Sequence, residues 1–240
     1  MSTIWGFVLA RSGSKGFPKK NIKKIGGKTL IERAVASAVR SSKLDKVIFS
    51  SDSEEYLELI DDAFKGVPNL HLIKRPSDMA DDETSIYDSV RYLLDLVVSE
   101  EENLPTHIAI LQPTTPFRMA STVDNLCNLV LAKNVSSGLT IVEASYPPVW
   151  TFAIGEDERL SPLVPEGFRV SRRQDTPQYF KPAGICYVLS NELLYDLDGL
   201  LPVEDTVGLV VNKYEAINID DESDYIFALA CADAGIVNDD

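Results

Sequence analysis

The stretch 10-ARSGSKGFPKKNIKKIGGKT-29 lies between an apolar run, 4-IWGFVLA-10, and a helical pattern that starts at Thr29. Its four glycines, Gly13, Gly16, Gly26 and Gly27, and its seven basic residues make it a loop, not a strand or helix. A strand, a glycine-rich loop and a helix in that order open an α/β fold on a parallel sheet. The charge of the loop is as informative as its shape. The chain carries 23 Lys+Arg against 37 Asp+Glu, a net charge of −14, yet no acidic residue occurs before Glu32. Without the seven loop residues, 16 basic side chains face all 37 acidic ones. Such a local reversal of sign, on backbone able to approach a ligand closely, points to an anion site, and a triphosphate fits it.

Outward from this loop, helix-period and strand-like segments alternate. Residues 29–40 place apolar side chains at 30, 31, 34, 35, 38 and 39, and Thr29 with Glu32 forms a capping box. Strands are expected at 46–51, 70–75, 107–112, 138–142, 183–190, 207–211 and 216–220. Helices are expected at 54–64, 85–99, 121–133, 191–197 and 223–234. Between 146-YPPVW-150 and Pro182 the rhythm breaks into Pro, Gly and charge, which reads as a lobe of about 146–182 inserted in a single domain of 1–240. The expected fold is a mostly parallel central sheet flanked by helices. Ligands in such sheets bind beyond the carboxyl ends of the strands, where Arg11, Ser51, Asp52, Arg75, Gln112 and Asp220 fall.

Composition excludes several classes. The acidic balance disfavours nucleic-acid binding, which needs an extended basic surface. No apolar run approaches the roughly 20 residues that span a bilayer. The odd count of cysteines, Cys127, Cys186 and Cys231, fits a reducing cytoplasm, and no export signal is expected at the N-terminus. Two phosphate motifs fail. A P-loop ending at 27-GKT-29 would need glycine at Ile22, and Gly13 with Gly16 does not make G-x-G-x-x-G. No G-x-S-x-G is present, and neither His71 nor His107 pairs with a nucleophile motif.

The pattern of Ala10, Arg11, Gly13, Ser14, Lys15, Pro18, Lys20 and Asn21 resembles the signature of acylneuraminate (CMP-sialic acid) cytidylyltransferases. Further segments match in order: 50-SSDSEEY-56, 75-RPSDMADDETSIYDSV-90, 111-LQPTTPFR-118, 172-RRQDTPQYF-180, 184-GICYV-188 and 219-IDDESDYIFAL-229. The resemblance implies a Rossmann-like nucleotidyltransferase fold and a reaction between CTP and an acidic nine-carbon sugar, giving a CMP-sugar and pyrophosphate. It implies that Arg11, Ser14, Lys15, Lys20 and Asn21 contact the triphosphate, with Lys20 beside the reacting phosphates. Arg75 and Ser85 would serve the base and ribose, Gln112 and Arg173 the sugar. Mg²⁺ would sit at Asp220 and Asn218, and the inserted lobe would form a homodimer. Arg11, Lys15, Lys20 and Asp220 are the implied catalytic set.

Four departures stand out. Asn218 replaces the first carboxylate of the D-x-D pair, which predicts weaker or altered metal binding. Ala183 replaces an Asn before the glycine of the 184–188 segment, and 143-EASYPPVW-150 lacks the His or Lys of many relatives. These fall on the sugar side and count against N-acetylneuraminic acid itself, leaving a related nonulosonic acid, such as legionaminic or pseudaminic acid, open. Ser12 stands for a common Gly. Two further readings stay beside the first: another nucleotidyltransferase on the same sheet, and a catalytically weakened CTP-binding homologue.

Overall fold

The computed structural model describes residues 2–13, 16–80, 84–98, 104–165, 172, 176–197 and 201–237. The chain opens with β1 (Ile4–Ala10), and the basic loop follows. Short strands β2 (Lys24–Ile25) and β3 (Lys28–Thr29) lead into α1 (Leu30–Val39), then β4 (Lys46–Ser51), α2 (Glu54–Ala63), β5 (Leu70–Lys74), α3 (Ile86–Val98) and β6 (His107–Leu111). Next come α4 (Ala120–Lys133), β7 (Ser137–Glu143), the short strands β8 (Phe152–Ile154) and β9 (Leu160–Pro162), and β10 (Phe180–Ser190). The described chain closes with α5 (Asn191–Asp196), β11 (Thr206–Val210) and α6 (Glu222–Asp233).

Seven strands form one sheet in the order β11-β7-β10-β6-β1-β4-β5. All pairings are parallel except those of β10, which runs antiparallel to both β6 and β7. The chain winds outward from β1 through β4 to β5, then returns to place β6 on the other flank of β1. The gap beyond β1 and β6 is therefore the switch point where open α/β sheets bind ligands.

Amphipathic helices cover both faces. Ile31, Val35 and Ala38 of α1, Tyr56 and Ile60 of α2, and Val123, Leu126 and Val130 of α4 pack on one face against Val8, Val47, Phe49 and Leu111. Val90, Leu93 and Leu94 of α3 and Leu194 of α5 cover the other, over Phe7, Ile48, Ile108 and Ile110. A third apolar cluster lies under the basic loop, where Phe17, Ile25 and Leu30 meet Phe117, Ile217, Ile219 and residues Ala228 and Cys231 of α6. Fully burying a side chain such as Ile25, Leu30 or Ile219 contributes about 1.5–3 kcal/mol. This third cluster thus holds the polar loop on an apolar foundation.

The sequence places α1 correctly. Thr29 Oγ1 accepts from Glu32 N–H while Glu32 Oε2 accepts from Thr29 N–H, the full capping box. One expected strand is absent. Residues 216–220 do not join a sheet: Ile217 and Ile219 are buried, so the alternation is real, but their partners are the third cluster. Ile219 N–H makes a single backbone bond, to Thr114 O at 2.8 Å. Asp220 is accordingly not at a strand exit. In the expected lobe, β8 and β9 form a two-stranded hairpin, whereas Phe180–Pro182 already pair with β7.

Candidate functional site

A cleft of about 370 Å³ opens at the switch point, lined among others by Arg11, Lys20, Asn21, Arg75, Gln112 and Asp220. Ser14, Lys15 and Arg173 lie outside the described residues.

The basic loop enters the cleft under local constraint. Lys19 adopts left-handed backbone, φ 56°, at the start of a short turn spanning Lys20–Ile22. Phe17 is buried, with its ring 5.6 Å from that of Tyr225, and the Tyr225 hydroxyl donates to Lys24 O at 2.7 Å. With the loop seated in this way, Lys20 Nζ reaches to 3.7 Å from Asp220 Oδ1. The Lys20 side chain is 15% exposed and that of Asp220 72%. Asn21 is buried and its Nδ2 donates to Arg11 O at 2.9 Å, so this amide holds the loop closed besides lining the cleft.

Arg75 forms another wall. Its Nη1 donates to Ser50 O at 2.5 Å and its Nε to Met79 O at 3.1 Å. Burial lowers its pKa to about 10, with Asp52 acting to raise it and Arg11 to lower it, so it stays cationic at neutral pH. Met79 O also accepts from Ser89 Oγ at 3.1 Å, and Thr84 Oγ1 donates to Asp78 O at 2.9 Å. Ala80, Thr84 and Ser89 line the cleft, although no sequence pattern marks them as site residues. Ser85, expected there instead, is exposed and engaged in capping α3: its Oγ accepts from Asp88 N–H at 3.0 Å and donates to Asp88 Oδ2 at 2.8 Å.

Gln112 follows β6 and faces a kink in β10. The β7–β10 register shifts between Pro182 and Tyr187, and Gly184 in that gap has φ +71°. A Cβ there would sit 3.4 Å from Gln112 Oε1 in strained backbone. Behind Gln112, Arg118 is buried and organises the 112–118 turn. Its Nε donates to Ile185 O at 2.9 Å, and its Nη2 donates to Gln112 O and to Thr115 Oγ1. Burial lowers its pKa to about 10, against the raising influence of Cys186 and Glu215. No local pattern singled out this arginine. Gln112 and Ile86 also line an adjoining, mainly apolar cavity of about 540 Å³ with Tyr87, Leu139, Tyr187 and Val203.

At the far rim, Asn218 Nδ2 donates to Asp220 Oδ2 at 2.6 Å, while Asn218 Oδ1 is buried with no hydrogen-bond partner. Asp221 is committed elsewhere: it caps α6, accepting from Asp224 N–H and from Ser223 Oγ. Asp221, and not Asp220, thus caps the last helix. Among the described residues no three His, Cys, Asp or Glu converge on a metal position. Asp220 with the orphaned Asn218 carbonyl is nonetheless a donor pair of the hard-oxygen type that Mg²⁺ takes when substrate phosphates supply further ligands. The three cysteines are buried and free, and burial raises the thiol pKa of Cys186 to about 12 and that of Cys127 further, so neither is a nucleophile at neutral pH.

A family model described as Cytidylyltransferase matches residues 5–144, more than half of the chain. The chain belongs to the cytidylyltransferase family. Among its relatives, the CMP-N,N'-diacetyllegionaminic acid synthase of Legionella pneumophila is 28% identical over 231 residues, covering 92% of this chain and 93% of the relative. The N-acylneuraminate cytidylyltransferase of Streptococcus agalactiae is 25% identical over 226 residues, covering 92% of this chain and 51% of the relative. The cytidylyltransferase chain here thus spans about half the length of that streptococcal protein. In fold it is similar to a CMP:2-keto-3-deoxy-manno-octonic acid synthetase solved in complex with CTP, with a TM-score of 0.66 and 16% identity over 98% of this chain and all of that one. No helix among the described residues is long and apolar enough to cross a membrane.

Proposed function

We propose that this cytidylyltransferase joins CTP to a nonulosonic acid, releasing pyrophosphate. The observation that carries the reading is the convergence of Arg11, Lys20, Arg75, Gln112 and Asp220 on one cleft at the switch point of the family fold. The sugar's anomeric oxygen forms a bond to the α-phosphorus of CTP as the bond from that phosphorus to the β-phosphate bridging oxygen breaks. Such transfer depends on positioning and on neutralising the leaving group. Arg11 and Lys20, with Ser14, Lys15 and Asn21 of the same loop, hold the triphosphate, and Lys20 stands beside the reacting phosphates. Arg75 shapes the base pocket from behind Met79 and Ala80. Gln112 orients the sugar, whose carboxylate Arg173 meets, and the adjoining apolar cavity receives the sugar's acyl substituents.

Mg²⁺ would be held by Asp220 and, with its amide turned to present Oδ1, by Asn218. When bound it supplies charge neutralisation at phosphate oxygens. The exposed apolar side chains Phe152, Ile154, Leu160 and Leu163 on and beside the β8–β9 hairpin support a homodimer formed through this lobe. Free buried thiols and CTP as substrate support a cytoplasmic location.

The test is pyrophosphate release with each of CTP, UTP, GTP and ATP, with and without nonulosonic acids. The reading requires CTP, a sugar and Mg²⁺ together. CTP binding without turnover on any sugar would instead select a weakened CTP-binding homologue, and turnover with another nucleotide a different nucleotidyltransferase.

A further inference from the structure

One peptide group of the basic loop is gripped at both ends. The Arg11 carbonyl accepts from Asn21 Nδ2 at 2.9 Å, and the Ser12 N–H on the same peptide donates to Asp52 Oδ1 at 2.9 Å. Ser12 Oγ donates to the second oxygen, Asp52 Oδ2, at 2.7 Å. The meeting follows from register: β1 and β4 pair in parallel as far as Ala10 and Ser51, so the next residues of each strand leave the sheet side by side. Asp52 has no capping role that would explain it otherwise. The N-cap of α2 is Ser53, and both Asp52 oxygens turn to Ser12 instead. Nor is Asp52 among the residues that line the cleft.

We propose that Asp52 is a positioning residue for the anion-binding loop. By fixing the Arg11–Ser12 peptide against Asn21, it sets the direction in which Arg11 and the following residues meet the ligand, which on the reading above is the triphosphate of CTP. Its charge adds a second effect. Arg11 and Arg75 line the same cleft; Arg11 disfavours the Arg75 cation, while Asp52 favours it. The carboxylate thereby lets two guanidinium groups share one cleft. Ser12 contributes a hydroxyl that doubles the grip. A carboxylate held by two donors keeps its geometry more firmly than one held by one.

The test compares Ser12→Ala, Asp52→Asn, Asp52→Ala and the Ser12→Ala/Asp52→Ala pair in the full chain. The readouts are the Kd for CTP, the KM for the sugar, and backbone amide exchange across residues 9–19 without ligand. Loss of a hydrogen bond to a charged group predicts that Asp52→Ala weakens CTP binding about tenfold or more and speeds loop exchange to match, with the sugar KM unchanged. Asp52→Asn keeps an oxygen for Ser12 N–H and an NH₂ for the hydroxyl to accept from, so it stays within about threefold of wild type. The pair should be no worse than Asp52→Ala alone, because one interaction is being removed twice.

Asp52→Ala that loses kcat and thermal stability while keeping its Kd for CTP would make Asp52 a structural residue and overturn the proposal. Unchanged loop exchange in Asp52→Ala would overturn it too. Asp52→Asn falling as far as Asp52→Ala would replace the grip by a pure charge effect. Wild type that binds no CTP would sink the nucleotide reading instead, and the exchange rates would then decide the grip alone. Should Asp52→Ala fail to fold, Ser12→Ala carries the test with an expected weakening of about two- to fivefold.

Discussion

Lys20 Nζ lies 3.7 Å from Asp220 Oδ1, joining the basic loop after the first strand to a carboxylate just ahead of the last helix. Two segments far apart in the sequence are thereby brought to one point at the rim of the cleft. The pair is long for an ion pair and Asp220 is mostly exposed, so it adds little to stability. Its value is that a cation and an anion stand ready for a phosphate and a metal ion respectively.

Lys20→Ala should therefore lower kcat for pyrophosphate release by about 100-fold or more, the range seen when one charge-stabilising group is removed from a transition state. The melting temperature should fall by only about 2–5 °C, since the ion pair lost is weak and the rest of the loss is the packing of the largely buried Lys20 stem. Steady-state kinetics beside calorimetry will check both. A rate within threefold of wild type would remove Lys20 from the reacting phosphates.

Asn218→Asp should lower the Mg²⁺ concentration needed for half-maximal activity, because a second carboxylate then faces the ion. In metal-free buffer the same variant should melt below wild type, since the substitution sets two like charges together where Asn218 now donates to Asp220. Mg²⁺ should restore the melting temperature. Identical Mg²⁺ dependence in both proteins would show that residue 218 does not touch the metal.

Ser85 and Ser89 separate capping from pocket building. Ser85→Ala should cost about 1 kcal/mol of stability, the usual loss for an N-cap, with KM for CTP within about twofold of wild type. Ser89→Ala frees the Met79 carbonyl from one of its two donors and should raise KM for CTP several-fold, about 1 kcal/mol of binding. Thermal melts and CTP titrations on the two variants will distinguish them, and a larger KM effect at Ser85 would reverse the assignment.

The Asp52 carboxyl titrates below the ordinary value: burial raises its pKa, but the hydrogen bonds from the Ser12 hydroxyl and N–H and from its own backbone outweigh that, with Arg75 adding to them. A depressed carboxylate pKa contributes stability that is complete above the unfolded value, about 4, and is lost as pH falls through the folded value. Any stability gap between wild type and Asp52→Asn should therefore be constant from pH 8 to 5 and close only below about pH 4. Chemical denaturation across that range is the check, and a gap that closed between pH 7 and 5 would contradict the assignment.

These residues also show what the sequence could and could not carry. The start of α1 was legible because Thr29 and Glu32 satisfy each other within one turn. The cleft was legible in outline, since Arg11, Arg75 and Gln112 each follow a strand whose pattern is local. The 216–220 segment misled because alternation reports burial, and Ile217 and Ile219 are buried by α6 and the basic loop without a neighbouring strand. The capping contact of Ser85 was not read from the sequence, although a hydroxyl ahead of a helix commonly serves the helix. The reversed direction of β10, the reach of Arg118 to Ile185 O and Ser37 Oγ, and the meeting of Ser12 with Asp52 depend on pairings between distant segments, which no short pattern records.

The most direct measurement of the central claim is the fate of labelled phosphate. CTP carrying label at the α-position, and separately at the γ-position, would be incubated with the enzyme, Mg²⁺ and legionaminic, pseudaminic or N-acetylneuraminic acid. Cytidylyl transfer predicts α-label in a CMP-sugar and γ-label only in pyrophosphate, in equal amounts, and abolished in Lys20→Ala. Gamma-label appearing on the sugar, or bound CTP that yields neither product with any of the three acids, would contradict the account.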